Sequence, residues 1–342
     1  MVKLTFISLQ SLAGALREKA RTFLVLISVL FGLSTAAAEE PARIPRIGIL
    51  IPESLRPQSQ AIKGLREGLK EIGYTEKKNI LLEIRDAKGD RGALKGEASE
   101  LVRQKVSLIF TTGTRATQAA KGATGEIPIL FCHPADPVAL GFVKSMEQPG
   151  GNMTGVAALA SQRTEKRLEI LKEIIPKARR VMIFYDFHNS YSRENFLFAQ
   201  KAAAKFSLEV DEHPIKSAEE LKKSVSGIQR RDGDVLFHVP DDLVEGQADF
   251  IFETARQKGL PSISNEEIWA IKGALASYGP NYYQMGRQAA RLADKILKGS
   301  KPKDLPIQRA GKFDLFINFR TAKAIGLSIP PEVLKKADKV IR

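Results

Sequence analysis

Only one cysteine, Cys132, occurs among the 342 residues. No intramolecular disulfide is available, so stability has to come from core packing. The chain also lacks the local signatures of common catalysts. It has no G-x-S-x-G elbow, no G-x-x-x-x-G-K-[ST] phosphate loop and no G-x-G-x-x-G after its first strand. An enzyme is therefore not expected, and no cofactor is implied. Net charge is +14, yet no aromatic-plus-basic cluster marks a nucleic-acid surface. The lysines and arginines are spread along the chain and read as a solvated basic surface.

Long apolar runs are scarce as well. "FLVLISVLFGLS" (Phe23–Ser34) is short of the roughly 20 residues a bilayer span needs. Arg17, Lys19 and Arg21 precede it, and Ala36 and Ala38 follow at signal-peptidase spacing. We read residues 1–38 as an export signal cleaved after Ala38, giving a periplasmic protein; an uncleaved anchor is the alternative. No cysteine follows the run, so no lipid-attachment site is present there.

The chain is 43% hydrophobic over 342 residues, more than one core usually holds. From Arg46 onward short β-branched runs alternate with helical patterns. "RIGILI" reads as a strand, and "AIKGLREGLKEIG" has apolar residues on one helical face closed by glycine. "VSLIFTTG" is a third strand leading into a helix from Thr114, and "IPILFC" is a fourth. After Ser161 the alternation begins again with "TEKRLEILKEIIP" and "RRVMIFYDF". Two rounds of this pattern imply an α/β protein of two doubly wound parallel-sheet lobes.

Ligands of such sheets bind beyond the C-terminal strand ends, so the residues there are the candidates. In lobe 1 they are Ser54 in "IPESLRP", Thr112, Gly113, Thr114 and Ala116 in "TTGTRAT", and Ala135 and Asp136 in "HPADP". In lobe 2 they are Tyr185 in "YDFHNSYS", Asp241 and Asp242 in "VPDD", Asn265 in "SNEE" and Tyr278 in "SYGP". Thr112–Thr114 at a helix N-terminus favour an anion, and Asp241 and Asp242 favour a cation. A zwitterion such as an α-amino acid fits between them. The competing reading makes Thr114 an N-cap and the two aspartates the start of the next helix. A helix terminus contributes roughly 0.3–2 kcal/mol, and micromolar binding needs about 8 kcal/mol. Further polar contacts and an apolar pocket are thus required, and Tyr185, Phe187, Tyr191, Trp269 and Tyr278 lie near the right ends. Cys132 reads as a small buried hydrophobe. His133, His188 and His238 all fall near strand ends, but their spacing is no metal motif, and ordinary polar or core histidines are expected.

Further stretches carry a family resemblance: "GLREGLKEIGY", "GTRATQAAKGATGEIPILF", "ADPVALGFVKSMEQPGGNMTGV", "ASYGP" and "FINFRTAKAIGLSIPPEVL". Together they resemble ABC-transporter substrate-binding proteins of the tryptophan/tyrosine-binding type, over about Arg46 to Ile341. The resemblance implies a type 1 periplasmic-binding-protein fold, with two lobes joined by a three-strand hinge. It implies lobe 1 over residues 39–155 with about 280–310 returning to it, and lobe 2 over 156–279 with about 311–342. Thr112 and Thr114–Ala116 match the family's G-T-x-A ligand loop, and Ala135–Pro137 its G-D-P turn, with Ala135 in place of the usual glycine. Asn152, Thr154 and Gly155 match the N-x-T-G crossing. Asp242 matches the aspartate that meets the amino group in tryptophan-binding members, and Asp241 that of the P-D-P-L variant; which one faces the ligand stays open. The expected partners are a small amino-acid ligand, aromatic or branched, and an inner-membrane ABC permease, with the protein itself a monomer. The alternatives are a ligand-sensing protein for a membrane receptor, or an importer component for another solute.

Overall fold

The computed structural model describes residues 44–342 apart from 53–55, 89, 134 and 232. The export-signal reading of residues 1–38 lies outside the described residues. All that follows concerns the compact unit Pro45–Arg342.

Buried, branched runs form the strands, and amphipathic segments between them form the helices. The chain opens with β1 (Arg46–Ile51), α1 (Arg56–Glu71), β2 (Leu81–Asp86), α2 (Arg91–Arg103), β3 (Leu108–Thr112), α3 (Gly113–Ala123), β4 (Ile129–His133) and β5 (Met153–Ala157). A 3-10 turn at Ala160–Arg163 leads to α4 (Thr164–Ile174), β6 (Arg180–Asp186), α5 (Ser190–Ala204), β7 (Glu209–Ile215), α6 (Ala218–Gly227) and β8 (Asp234–Phe237). Next come α7 (Asp242–Glu245), α8 (Ala248–Gln257), β9 (Ser262–Ser264), α9 (Glu267–Lys272) and β10 (Ala276–Pro280). The chain ends with α10 (Tyr282–Leu297), β11 (Gln308–Arg309), β12 (Phe313–Asn318), α11 (Phe319–Ala324), α12 (Pro331–Lys336) and β13 (Lys339–Ile341).

These strands build two sheets. The first has six strands in the order β11-β5-β4-β3-β1-β2, and the second seven in the order β13-β12-β10-β9-β8-β6-β7. Every pairing in the first is parallel. In the second, β10 and β12 run antiparallel, a departure from the uniform alternation read in the sequence. Each sheet is covered by an apolar cluster on both faces, so both are doubly wound. The sequence reading also missed β11, β13 and α9; elements of two to six residues are too short to express a period. The competing reading did place a helix start at Asp241 and Asp242, where α7 begins.

The chain passes between the sheets three times: after β5, after β10 and after β11. Backbone bonds tie these crossings together. Ala310 N–H donates to the Ala157 carbonyl (2.9 Å), and Asn281 N–H to that of Lys312 (3.0 Å). The Asn281 amide also donates to Asp314 Oδ2 at 2.6 Å. Beyond the second crossing α10 returns to the first lobe. Its buried face, including Tyr282, Met285, Ala289, Ala293 and Ile296, follows the helical period. It meets α1 backbone to backbone. A Cβ on Gly286 would sit 2.1 Å from the Ala61 carbonyl oxygen, and one on Gly64 only 2.0 Å from that of Tyr283. Among the described residues no helix is long and apolar enough to cross a membrane.

This contact gives a paired prediction. Gly286→Val forces the helices apart and should cost about 1–3 kcal/mol. Gly96→Ala, in an exposed helix position with open space around it, should stabilise by about 0.4–1 kcal/mol. Urea unfolding followed by circular dichroism measures both.

Candidate functional site

In sheet one β1 lies between β2 and β3, and in sheet two β6 lies between β7 and β8. Each arrangement is a topological switch, where the connections leave a crevice at the C-terminal strand ends. On the lobe 1 side Ser54 lies outside the described residues. Thr111 and Thr117 share a hydrogen bond (2.9 Å), and Thr117 also donates to the Gly113 carbonyl, so these hydroxyls are used internally. Thr112 differs. It is the N-cap residue of α3, makes no side-chain cap bond, and its buried Oγ1 has no hydrogen-bond partner.

The helix starts at Gly113, one residue earlier than the sequence suggests. The amides that open the helix include those of Gly113 and Thr114, and the Ala116 amide is inside the ladder. The Ala116 side chain is fully buried in the core. Thr114 and Arg115 line an outer crevice of about 740 Å³ between α2 and α3, with Lys95, Ser99 and Phe142.

Several other candidates have structural work. Asp136 accepts from the Val138 (2.8 Å) and Ala139 (3.3 Å) amides and caps a turn beside the buried Ala135. Asn152 precedes β5, at the opposite end of the sheet, and its amide donates to the Thr124 and Ile127 carbonyls. The buried Thr154 hydroxyl donates to the Leu305 carbonyl, anchoring the returning segment. Tyr185 lies in the lobe 2 core, stacked on Phe196 at 4.4 Å, with its hydroxyl donating to Glu212. Burial first, and that carboxylate second, push the hydroxyl up to about 12. Trp269 is likewise in the core beside Phe252. Tyr278 is half-buried and stacks on Phe313 at 5.8 Å. These corrections share a cause: strand alternation and edge packing decide where a side chain points, and a sequence shows only that it lies near a strand end.

Asp241 bridges the second switch point. One carboxylate oxygen accepts from the Asp186 amide (2.7 Å) and the other from the Val244 amide (2.8 Å). It is 2% exposed, so both oxygens are committed to the fold. Asp242 is the first residue of α7, with its side chain outside what the structure describes. Asn265 Oδ1 lies 2.7 Å from His238 Nδ1, which leaves Asn265 Nδ2 and His238 Nε2 buried without partners. Burial, with Arg167 adding to it, pulls His238 down to about 3. A neutral imidazole then donates from Nδ1 and offers Nε2 as an acceptor. His133 and His238 are buried in different sheets while His188 is exposed. Among the described residues no His, Cys, Asp and Glu group could hold a metal.

Three residues outside the sequence candidates complete the site. Arg167 is fully buried and donates to the His238 carbonyl (2.5 Å) and Thr164 Oγ1 (3.0 Å); burial pulls it down to about 9. Glu266, just past β9, accepts from the Tyr282 hydroxyl at 2.6 Å. That bond joins the second lobe to the helix returning to the first. Burial raises Glu266 to about 7, Glu267 adding to the effect and the Tyr282 bond opposing it. Asn265 and Glu266 press so closely on β10 that a Cβ at Gly279 would lie 2.0 Å from the Asn265 carbonyl oxygen. Only the "SNEE" strand end pointed here, and nothing in it marks one acid as buried.

Two doubly wound lobes with three crossings define the type 1 periplasmic-binding-protein architecture. The chain belongs to the ABC transporter substrate binding protein family, whose model matches residues 46–341. A tyrosine-binding protein of Clostridioides difficile (strain R20291) is 32% identical over 268 residues, 78% of this chain and 77% of that relative. A conserved domain protein of Vibrio cholerae superposes with TM-score 0.78 at 28% identity, covering 87% of this chain and all of the other (100%). A Streptococcus pneumonia domain solved with L-Trp is similar in fold, with TM-score 0.76 at 24% identity over 87% of this chain and 99% of that one. The family consists of transport binding proteins rather than enzymes.

His133 sets a pH dependence. It is fully buried between Phe131 and Phe142, both its ring nitrogens lack a hydrogen-bond partner, and burial lowers it to about 3. The unfolded chain takes up this proton near 6.5, the folded protein only near 3. Stability should fall as pH drops through that window, by up to about 1.4 kcal/mol per unit for this one group. His133→Phe should flatten the pH slope of urea-unfolding stability below 6.5 by that amount.

Proposed function

We propose that this protein is the exported solute-binding component of an ABC importer, and that it holds a zwitterionic amino acid, aromatic or branched, between its lobes. The observation that carries the reading is the opposed polarity of the two switch points. Lobe 1 offers the unpartnered Thr112 hydroxyl and the free amides that open α3, both suited to a carboxylate. Lobe 2 offers the buried Glu266 carboxyl, one of whose oxygens accepts from Tyr282. The name of the C. difficile relative and the L-Trp of the S. pneumonia structure support an amino acid, and the family supports transport.

The mechanism is hinge closure. A ligand that contacts both lobes only when they are shut shifts the population toward the shut form, which an inner-membrane permease then recognises. The protein works as a monomer in the periplasm, delivered there by its N-terminal segment and released after about Ala38.

Thermal unfolding of residues 39–342 with each standard amino acid, a sugar and a purine tests the reading. An aromatic or branched amino acid at 100 times its Kd should add about 2.7 kcal/mol, a midpoint shift of several degrees. Stabilisation by the sugar or purine alone overturns it.

A further inference from the structure

We propose that Glu266 is the acceptor for the cationic group of the ligand, held for it by the Tyr282 hydroxyl. The inference rests on the zwitterion reading above and names the residue that completes it.

The two ends of such a ligand are brought together by strand alternation. In β3, Thr111 bonds Thr117 of α3, so it faces that helix. Phe110 lies on the opposite face, in the cluster that also holds Cys132, Tyr282 and Met285. Thr112 follows Thr111 and so shares the face of Phe110. It is also the register partner of Cys132 across β3 and β4. Thr112, Cys132 and Tyr282 therefore converge on one side of sheet one, and Tyr282 carries the bond to Glu266 of the other lobe. Thr112, with its unpartnered hydroxyl, and the Tyr282–Glu266 pair thus lie on the same side of sheet one.

Charge separates Glu266 from Asp241. Asp241 spends both oxygens on backbone amides. Glu266 has one oxygen engaged, by a neutral phenol, and no cation within 4 Å among the described residues. The groups acting on this pair are Glu267 of α9, Glu245 of α7 and Cys132 of β4. Two are acids, and the third is a thiol that burial pushes up to about 12. On the outer side a cavity of about 310 Å³ runs between the lobes, where Lys63 and Lys339 share the wall with Glu267 and Asp314. A buried carboxyl in acidic company is costly to ionise. An ammonium group beside it removes that cost.

Binding of the cation should then expel a proton. Glu266, raised to about 7 in the empty protein, must ionise to receive the ammonium group. Affinity should rise with pH through about 7 and level off above it, falling by up to about tenfold per unit below.

Calorimetric titration of wild type, Glu266→Gln and Tyr282→Phe decides the matter. The probes are L-tryptophan, L-tyrosine and L-isoleucine, each beside its des-amino acid, in phosphate and in Tris at pH 6, 7 and 8. Wild type should prefer an amino acid to its des-amino form and release part of a proton at pH 7. Glu266→Gln should lose about 30-fold or more in affinity for the amino acid, release no proton and lose the preference. Tyr282→Phe removes the bond that lowers Glu266, so its pH midpoint should move upward. Binding by Glu266→Gln within threefold of wild type overturns the proposal while leaving the amino-acid reading intact. If no amino acid binds wild type, both fall. Should Glu266→Gln fail to fold, absence of proton release by wild type at pH 6–7 overturns the proposal by itself.

Discussion

A parallel sheet covered on both faces has one place for polar chemistry, the ends of its strands. The inner strands β1, β3 and β4 are almost wholly buried along their length. Polar side chains are admitted at the C-terminal ends, where helices have not yet closed over the backbone. That is where Thr112, His133, His238, Asp241 and Glu266 lie. All are buried, so each must find a partner or bear a desolvation cost. The site is the set of those whose partners are incomplete.

The hinge and the strand ends are one system. The first crossing leads into α4, where Arg167 reaches the His238 carbonyl at the end of β8. The second leads into α10, whose first residue, Tyr282, bonds Glu266 past the end of β9. Asn281, at the same crossing, holds Asp314 of the third. Polar links of this kind join the crossings to the ends of β8 and β9. Because α10 meets α1 through glycine-sized contacts, Tyr282 is fixed to lobe 1, and any rotation of the lobes has to be absorbed elsewhere.

Much of the architecture was legible because its signal is periodic. Two rounds of strand and helix, and the strand ends at Thr112 and Asp241, follow from local pattern. Orientation was less so. "NMTG" and "YDF" fall at the right places along the chain, yet Asn152 braces the far edge, Thr154 anchors Leu305, and Tyr185 stacks in the core. The pair Asp241–Asp242 looked like the cation site because two acids together suggest one, whereas Asp241 is satisfied by amides that only the folded loop brings near. Glu266 was hidden for the converse reason. Its bond is to Tyr282, 16 residues further on, at the start of the helix that returns to the other lobe.

The incomplete pairing also explains why such a site should not be stabilised further. A cation built into the fold beside Glu266 would remove its desolvation cost in the empty protein, and the ligand would then gain nothing by arriving there. A binding protein that closes on its solute needs part of its favourable electrostatics withheld until the solute supplies it, since only contacts absent from the open form shift the equilibrium. Asp241 and Glu266 illustrate the division. The satisfied carboxylate ties β6 to the loop after β8, and the other is held by a single neutral phenol.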